Sequence, residues 1–518
     1  MRKLTVLAML AAVLMAGSAF AVNRTIQPNA TFTFGVGGAA IGPTTTNNDD
    51  TCDIGTAPAA TLLLPYFEVD FKSQQGTART TLFTITNVSN LPQIAHVVVW
   101  TDWSFPVLDF NIFLTGYDVQ AINLYDVIAR GIIAPPSGTS SNITVPSNPT
   151  AGSQPADSTI VANPNLASLA ACTALPGAIP PGLLTCLQTS LTTGVYTCGC
   201  TSSQIVGGPH ANAVGYITVD LTNRCHTDLP NQAAYFPEIL FDNVLIGDYQ
   251  DVNPNPATGN FAGGNPMVHL RAIPEGGPAG TFPGTNLPNT FYDRYTSNAA
   301  TGAVLPDRRF DRRQPLPSTF AARFIQGGTG SFNTNYKIWR EGITVGTCSG
   351  AQAASLNSNL GFTEFVKFDE HENANIAGGG VVISPAPLGA GLPETSSQPT
   401  TSAFFPPIPA AAGDIAGWTY LNLHNGGSVN YSRDNIVPAG VNRASGNWVI
   451  VHMEAEGRYS VDFDAAWLGN GCSPPTPGGA QIGPAGGVLV CPLNTLGVPV
   501  AGCTPGVAPF TGTNSTPP

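Results

Sequence analysis

Arg79-Thr-Thr-Leu-Phe-Thr-Ile-Thr-Asn87 and Ile94-Ala-His-Val-Val-Val-Trp-Thr-Asp102 are the stretches on which the fold turns. In the first, Thr81, Phe83 and Ile85 alternate with Thr80, Leu82 and Thr84, the period of a half-buried strand. Turn formers at Asn87-Val88-Ser89-Asn90 and Pro92 separate it from the second, which is apolar enough for the middle of a sheet. Working outward, Thr61 to Asp70 reads as a strand on one side, and Leu108 to Leu114 and Asp118 to Leu124 as strands on the other. Tyr125 to Arg130 reads as one helical turn. Strands at short, even spacing are the rhythm of packed antiparallel sheets.

The same reading continues through Ala213 to Thr222, Phe241 to Tyr249 and Pro266 to Ile273. A second run holds strands at Asn335 to Arg340, Phe362 to Asp369, Gly417 to His424 and Asn447 to Ala466. Within it Thr319 to Gln326 is read as a short helix, and the Pro-, Gly- and Ala-rich stretch Gly378 to Gly413 as loop. The expected fold is all-β (mainly β): two antiparallel β-sandwich regions, residues 54–275 and 280–472, with long loops. Residues 135–204 form a Pro-rich, cysteine-bearing insertion in the first region, with short helices at Leu166 to Leu175 and Leu183 to Leu191. Residues 22–53 read as a flexible lead-in and 473–518 as a disulfide-pinned or disordered tail. Composition agrees. Charged residues are 10%, far below an average domain, and Gly and Pro together make about a fifth of the chain.

The N-terminus has the order of a secretory signal: Met1, Arg2, Lys3, an apolar run from Leu4 to Met15, then Ala19-Phe20-Ala21. Cleavage after Ala21 removes residues 1–21 and places the mature chain in the periplasm, on the cell surface or outside the cell. No later stretch is long and apolar enough for a helical span, so no membrane span is expected in the mature chain. Cys52, Cys172, Cys186, Cys198, Cys200, Cys225, Cys348, Cys472, Cys491 and Cys503 are even in number, as expected of disulfides in an oxidising space. Cys198 and Cys200 flank one residue and are expected to bond different partners. A metal site with His210 or His226 is the rival, against which stands the lack of any CxxC pair or zinc-ligand spacing.

The net charge of −12 argues against nucleic acid, whose binding needs Lys and Arg to displace counterions. Lysine is nearly absent: Lys3, Lys72, Lys337 and Lys367 are all there is. The basic stretch Asp307-Arg308-Arg309-Phe310-Asp311-Arg312-Arg313 reads as a solvated loop with its own counter-charges, or as a grip for an acidic glycan or carboxylate.

Four strings, WTDWSFPVLDFNIFLTGYDV, GYITVDLTNRC, NVLIGDY and EAEGRYSVDFDAAWLGNGC, resemble those of uncharacterised exported bacterial cell-envelope proteins of β-sandwich type. The resemblance covers most of the chain between Cys52 and Cys472 and implies export and an envelope setting. It carries no activity and no site residues.

The densest group of chemistry-bearing residues is the hairpin Asn447 to Ala466. On its first strand Val449, Val451, Met453 and Ala455 share one face, and Ile450, His452, Glu454 and Glu456 the other. On the returning strand Ser460, Asp462 and Asp464 share a face. A two-residue turn pairs Glu456 with Tyr459 and disperses the acids; a three-residue loop pairs Glu456 with Ser460, Glu454 with Asp462 and His452 with Asp464. Like charges directly opposite are destabilising, so the second register needs a cation, or the raised carboxylate pKa values used in acid–base catalysis. It also segregates the apolar residues, which favours it. Glu454, Glu456, Asp462 and Asp464 are therefore the catalytic candidates.

Calcium is the ion the other acidic stretches would suit: Asp369, Glu370 and Glu372 around His371, and Asp248 and Asp251 near Asp242. Both stretches lack the spaced ligands of a calcium loop, so solvated loop and turn chemistry are the plainer readings. No other cofactor is implied. Trp100, Trp103, Trp339, Trp418, Trp448 and Trp467 could offer flat rings to sugars, though most Trp in sandwiches are core. No nucleophile elbow, HExxH, Walker loop or dinucleotide fingerprint occurs. The leading expectation is a non-enzymatic structural or interaction protein of the cell envelope or extracellular space, whose partner is an envelope or extracellular protein or a glycan. The alternatives are a carbohydrate-binding protein and a carboxylate-dependent glycoside hydrolase.

Overall fold

The computed structural model describes residues 57–133, 177–198, 204–230, 238–254, 261–272, 319–341, 364–371, 374–375, 393–400, 415–423, 446–455 and 459–467, with a few single positions between them. The signal segment, the lead-in, most of the insertion, the tail, Glu372, Glu456, and Cys52, Cys172, Cys200, Cys348, Cys472, Cys491 and Cys503 lie outside the described residues.

The fold is all-β, as the alternation predicts. A five-stranded sheet runs in the order β11 (Val268–Leu270), β1 (Thr61–Val69), β8 (Ala213–Thr222), β3 (Gln93–Thr101), β4 (Pro106–Leu114). A four-stranded sheet, β10 (Phe261–Pro266), β9 (Leu245–Asn253), β2 (Thr80–Asn87) and β5 (Val119–Asn123), packs against it through β1, β2 and β9. A second pair follows. Its five-stranded sheet is β15 (Ala374–Asn375), β14 (Glu364–Phe368), β17 (Ala416–Asn422), β12 (Thr319–Ile325), β20 (Ala466–Trp467). Its four-stranded sheet is β16 (Thr395–Pro399), β13 (Phe332–Arg340), β18 (Asn447–Ala455), β19 (Tyr459–Asp464). Two-residue strands β6 (Val195–Tyr196) and β7 (Gln204–Ile205) pair apart from these. Every pairing among the described strands is antiparallel.

Strand β2 behaves as its sequence says: Thr81, Phe83 and Ile85 are buried, and the residues between are half-exposed. Strands β3 and β8 are buried along their whole length, so Val214, Tyr216, Thr218 and Asp220 are as interior as Ile217, Val219 and Leu221. A strand covered on both faces has no solvent side to fill with polar residues. Part of the cover is the second sheet pair. Trp339 of β13 meets the Tyr216 ring edge-on at 5.8 Å, and the Thr395 N–H of β16 donates to the Asp102 carbonyl. Gly215 is required in β8, because a Cβ there would lie 2.1 Å from the Trp100 carbonyl.

Two expectations need correction. Thr319–Ile325 is strand β12, not a helix. Phe320, Ala322 and Phe324 are buried in alternation with Ala321, Arg323 and Ile325, and pairing with β17 and β20 overrides the helix preference of the alanines. The stretch read as loop between Gly378 and Gly413 contains β16, which completes the edge of β13. Of the helices, α1 (Leu124–Arg130) is capped by the Asn123 side chain and ends on Gly131 in the left-handed conformation. Within the insertion, α2 (Pro181–Thr192) covers the expected Leu183 to Leu191. Its Cys186 and the nearby Cys198, both expected in disulfides, stand as free thiols, while Cys225 is buried. Among the described residues no helix is long and apolar enough to cross a membrane.

Candidate functional site

The hairpin β18–β19 segregates its faces as expected but in a third register. Ala455 pairs with Tyr459, Glu454 with Ser460, His452 with Asp462 and Ile450 with Asp464. Paired residues share a face, so His452, Glu454, Asp462 and Asp464 still lie together, shifted by two residues from the segregating register of the sequence. Among the described pairs no acid sits directly opposite another. The neighbouring strand β13 adds Asn333 beside Glu454, Asn335 beside His452 and Lys337 beside Ile450.

This face meets the first sheet pair at the β10 edge and at Asp251 of β9. Gly263 of β10 lies so near that a Cβ would come 3.0 Å from Asp462 Oδ1, and Asn265 Nδ2 donates to Asp464 Oδ1 at 2.7 Å. The two pairs of sheets are joined here by a chain of alternating charges. Glu68 Oε2 accepts Arg79 Nη1 at 2.9 Å, and Arg79 grips Asp251 with Nη2 at 2.7 Å and Nε at 3.2 Å. Asp251 Oδ2 is 3.2 Å from Lys337 Nζ, which reaches Asp462 Oδ2 at 2.8 Å. Asp462 Oδ1 takes a short hydrogen bond from His452 Nδ1, and His452 Nε2 lies 3.6 Å from Glu454 Oε2. Glu68, Arg79 and Asp251 belong to the first pair of sheets; Lys337, Asp462, His452 and Glu454 belong to the second. Tyr66 donates to Glu68, Asn212 donates to Glu68 and Tyr249 to Asp462, and Asn333 donates to Glu454.

The middle of the relay is dry: the Lys337 and Asp251 side chains are each 2% exposed and that of Asp462 is 0%. Burial alone would raise Asp251 and Asp462, but Lys337 with Arg79 on one, and Lys337 with His452 on the other, hold both carboxyls below their ordinary range. Burial would lower Lys337, and the two aspartates instead raise it. His452 is raised against its burial by its bonds to Asp462 and Glu454, and Glu454 is lowered chiefly by His452. Both ring nitrogens of His452 face carboxylates, the environment of an imidazolium. Asp464 is the exception. Burial pushes it up to about 6, opposed by hydrogen bonds from Trp448 and Asn265.

The other expected sites disperse. Asp251 points inward and Asp248 outward on β9, so they cannot share a cation. Asp248 accepts from Thr84 Oγ1 and lines a shallow groove of roughly 390 Å³ with Leu82, Asn123 and Gln250. Asp369 caps the His371 N–H in a turn, and Glu370 accepts the Ile415 and Ala416 N–H groups at the start of β17, so both serve the backbone. Trp100, Trp103, Trp339 and Trp448 are buried, which leaves no platform built from them; Trp418 stacks on Phe368 at 4.0 Å. Arg313 is no solvated loop residue. It is fully buried, ion-paired to Asp220 at 2.9 Å, and its guanidinium sits over Tyr292 at 4.5 Å. His210 is committed to Asp102 at 2.9 Å rather than to the cysteines.

Lys337 and Arg79 are the residues the sequence did not flag. One signal existed: in a chain this poor in lysine, Lys337 and Lys367 both fall within strands, where a lysine needs a partner. Comparison of the chain with models of protein families, with curated proteins and with solved structures finds no match.

Proposed function

We propose that this is a non-enzymatic structural or interaction protein of the cell envelope or extracellular space, acting as one rigid body made of two sandwiches. The observation that carries the reading is the buried relay: Asp251 and Asp462 are consumed by Lys337, and Glu454 by His452. A carboxylate in glycoside hydrolysis must reach a glycosidic oxygen or a water, and must exchange a proton at the working pH. Asp462 is sealed from solvent and held ionised. A charge chain that ties two layers of sheet fixes their mutual orientation, which serves a protein whose work is to present surfaces at a set distance. The signal-like N-terminus supports the compartment. The carbohydrate-binding alternative has lost the four tryptophans that are interior.

The test is a paired assay on the full chain: retention by envelope fractions and by insoluble polysaccharides, run with a glycosidase screen. The expected result is saturable retention by an envelope protein that Glu454→Gln leaves unchanged, with no hydrolysis. Hydrolysis of any glycan that Glu454→Gln or Asp462→Asn abolishes overturns the proposal.

A further inference from the structure

A second polar cluster lies away from the relay, where the chain after β8 crosses the outer side of β3 and β4. Asn223 N–H donates to the Glu238 carbonyl and Thr222 bridges to Ile239, so this excursion is closed at its base. It brings His226, Asp228 and Glu238 together, each offering a ligand atom within 4.8 Å of the other two. The side chains of His226 and Glu238 are 3% and 5% exposed.

Three features make this arrangement unfavourable as it stands and favourable around a cation. First, His226 Nδ1 accepts the Asp228 N–H at 3.1 Å, which puts the proton of a neutral ring on Nε2, yet Nδ1 also lies 3.3 Å from Glu238 Oε2. A ring lone pair and a carboxylate oxygen then face each other with nothing positive between them. Second, Glu238 Oε2 and His226 Nε2 have no hydrogen-bond partner, and Glu238 Oε1 has only the Arg224 guanidinium. That Arg224 side chain is half-exposed, so the counter-charge approaches Glu238 from the solvent side. Buried polar atoms are normally satisfied, so such atoms call for an explanation. Third, the ring of His96 stacks on His226 at 4.3 Å and is itself fully buried. The Asn111 amide, fixed by its donation to the His226 carbonyl, accepts from His96 Nδ1 at 3.0 Å, so the bare Nε2 of His96 adds another unpartnered lone pair beside the cluster.

We propose that His226, Asp228 and Glu238 form a binding site for a divalent transition metal of the zinc class. The 3.3 Å separation of His226 Nδ1 and Glu238 Oε2 is the ligand-to-ligand edge of a tetrahedron with bonds of about 2.0–2.1 Å, the usual length for zinc on nitrogen and oxygen. The metal takes the Nδ1 lone pair in place of the Asp228 N–H, so that hydrogen bond opens on binding. An imidazole ligand selects zinc, cobalt or nickel over the hard, oxygen-seeking calcium. Asp228, the half-buried member, supplies the third ligand, and a water would complete the tetrahedron. The site joins the loop after β8 back onto itself and onto the face of β3 and β4, so its effect is on the stability of the first sandwich.

The probe is the metal alone, added to the full chain after treatment with chelator. One equivalent of cobalt should give the intense visible bands of a tetrahedral N/O centre. Zinc should displace cobalt and raise Tm by several degrees, reversibly with chelator, while calcium does neither. Glu238→Gln and Asp228→Asn, shown by circular dichroism to be folded, should weaken zinc binding at least tenfold. Absence of cobalt bands in the folded wild type, sulfur-to-metal charge-transfer bands that place the ion on cysteines, or unchanged affinity in both folded variants each overturn the assignment.

Discussion

Replacing Lys337 by Met removes the one cation among the described residues that touches acids of both sandwiches. Asp251 and Asp462 stay behind, both buried, with Arg79 still on Asp251 and with His452 and the Tyr249 hydroxyl still on Asp462. Breaking a buried pair from one side costs about 3–5 kcal/mol, and the surviving partners place this case near 3. The loss is read by equilibrium urea unfolding followed by tryptophan fluorescence and circular dichroism. The pH dependence gives an internal check. In the wild type the two aspartates have folded pKa values below their unfolded ones, so their stabilisation is present above about 3.8 and is lost as pH falls through the folded values. In Lys337→Met the same carboxyls are destabilising while ionised, and protonation relieves them. The gap between the two proteins therefore narrows on acidification. Adding Asp251→Asn and Asp462→Asn to the variant should recover most of the loss, because a neutral interior needs no counter-charge. A loss under about 1 kcal/mol at neutral pH, or a gap that widens in acid, refutes the reasoning.

His452 has a folded pKa above the ordinary 6.5, so its stabilisation is complete below that value and is lost as pH rises through the folded one. The ring proton shifts of His452 in NMR should titrate above 6.5, and His452→Gln should flatten the alkaline limb of the stability curve. Asp464 behaves oppositely to its neighbours: raised from 3.8 to about 6, it contributes most below 3.8 and loses that contribution as pH passes about 6. Asp464→Asn, which keeps an oxygen for Trp448 and Asn265, should raise Tm at pH 8 more than at pH 4. A Tm gain that is equal at both pH values would count against a raised carboxyl. Cys198 is held above its ordinary pKa first by burial and then by the adjacent Cys186 thiol. Mild oxidation should join these two sulfurs without moving α2, seen by intact mass and peptide mapping; a reaction that links either to another cysteine contradicts that placement.

The strands were legible because burial on one face writes a period of two into the chain, as in β2, and burial on both writes a solid apolar run, as in β3. Strand β12 carried the same period in Phe320, Ala322 and Phe324, but alanines and an arginine between them read equally as helix, and only pairing with β17 decides. The hairpin shows where sequence stops. Its face segregation follows from parity, which any shift by two residues preserves, so the faces could be read and the partners could not. A cation was required for the acids to share a face. That the cation is Lys337, more than 100 residues upstream, and that it is shared with Asp251 of the other sandwich, are facts of tertiary packing that leave no local mark.

The most direct measurement is a double-mutant cycle between Asp251→Asn and Lys337→Met, one residue from each sandwich. A coupling of about 2 kcal/mol is the result predicted for a dry ion pair that ties the two bodies together, whereas additivity within about 0.3–0.5 kcal/mol would mean that they meet there without holding each other.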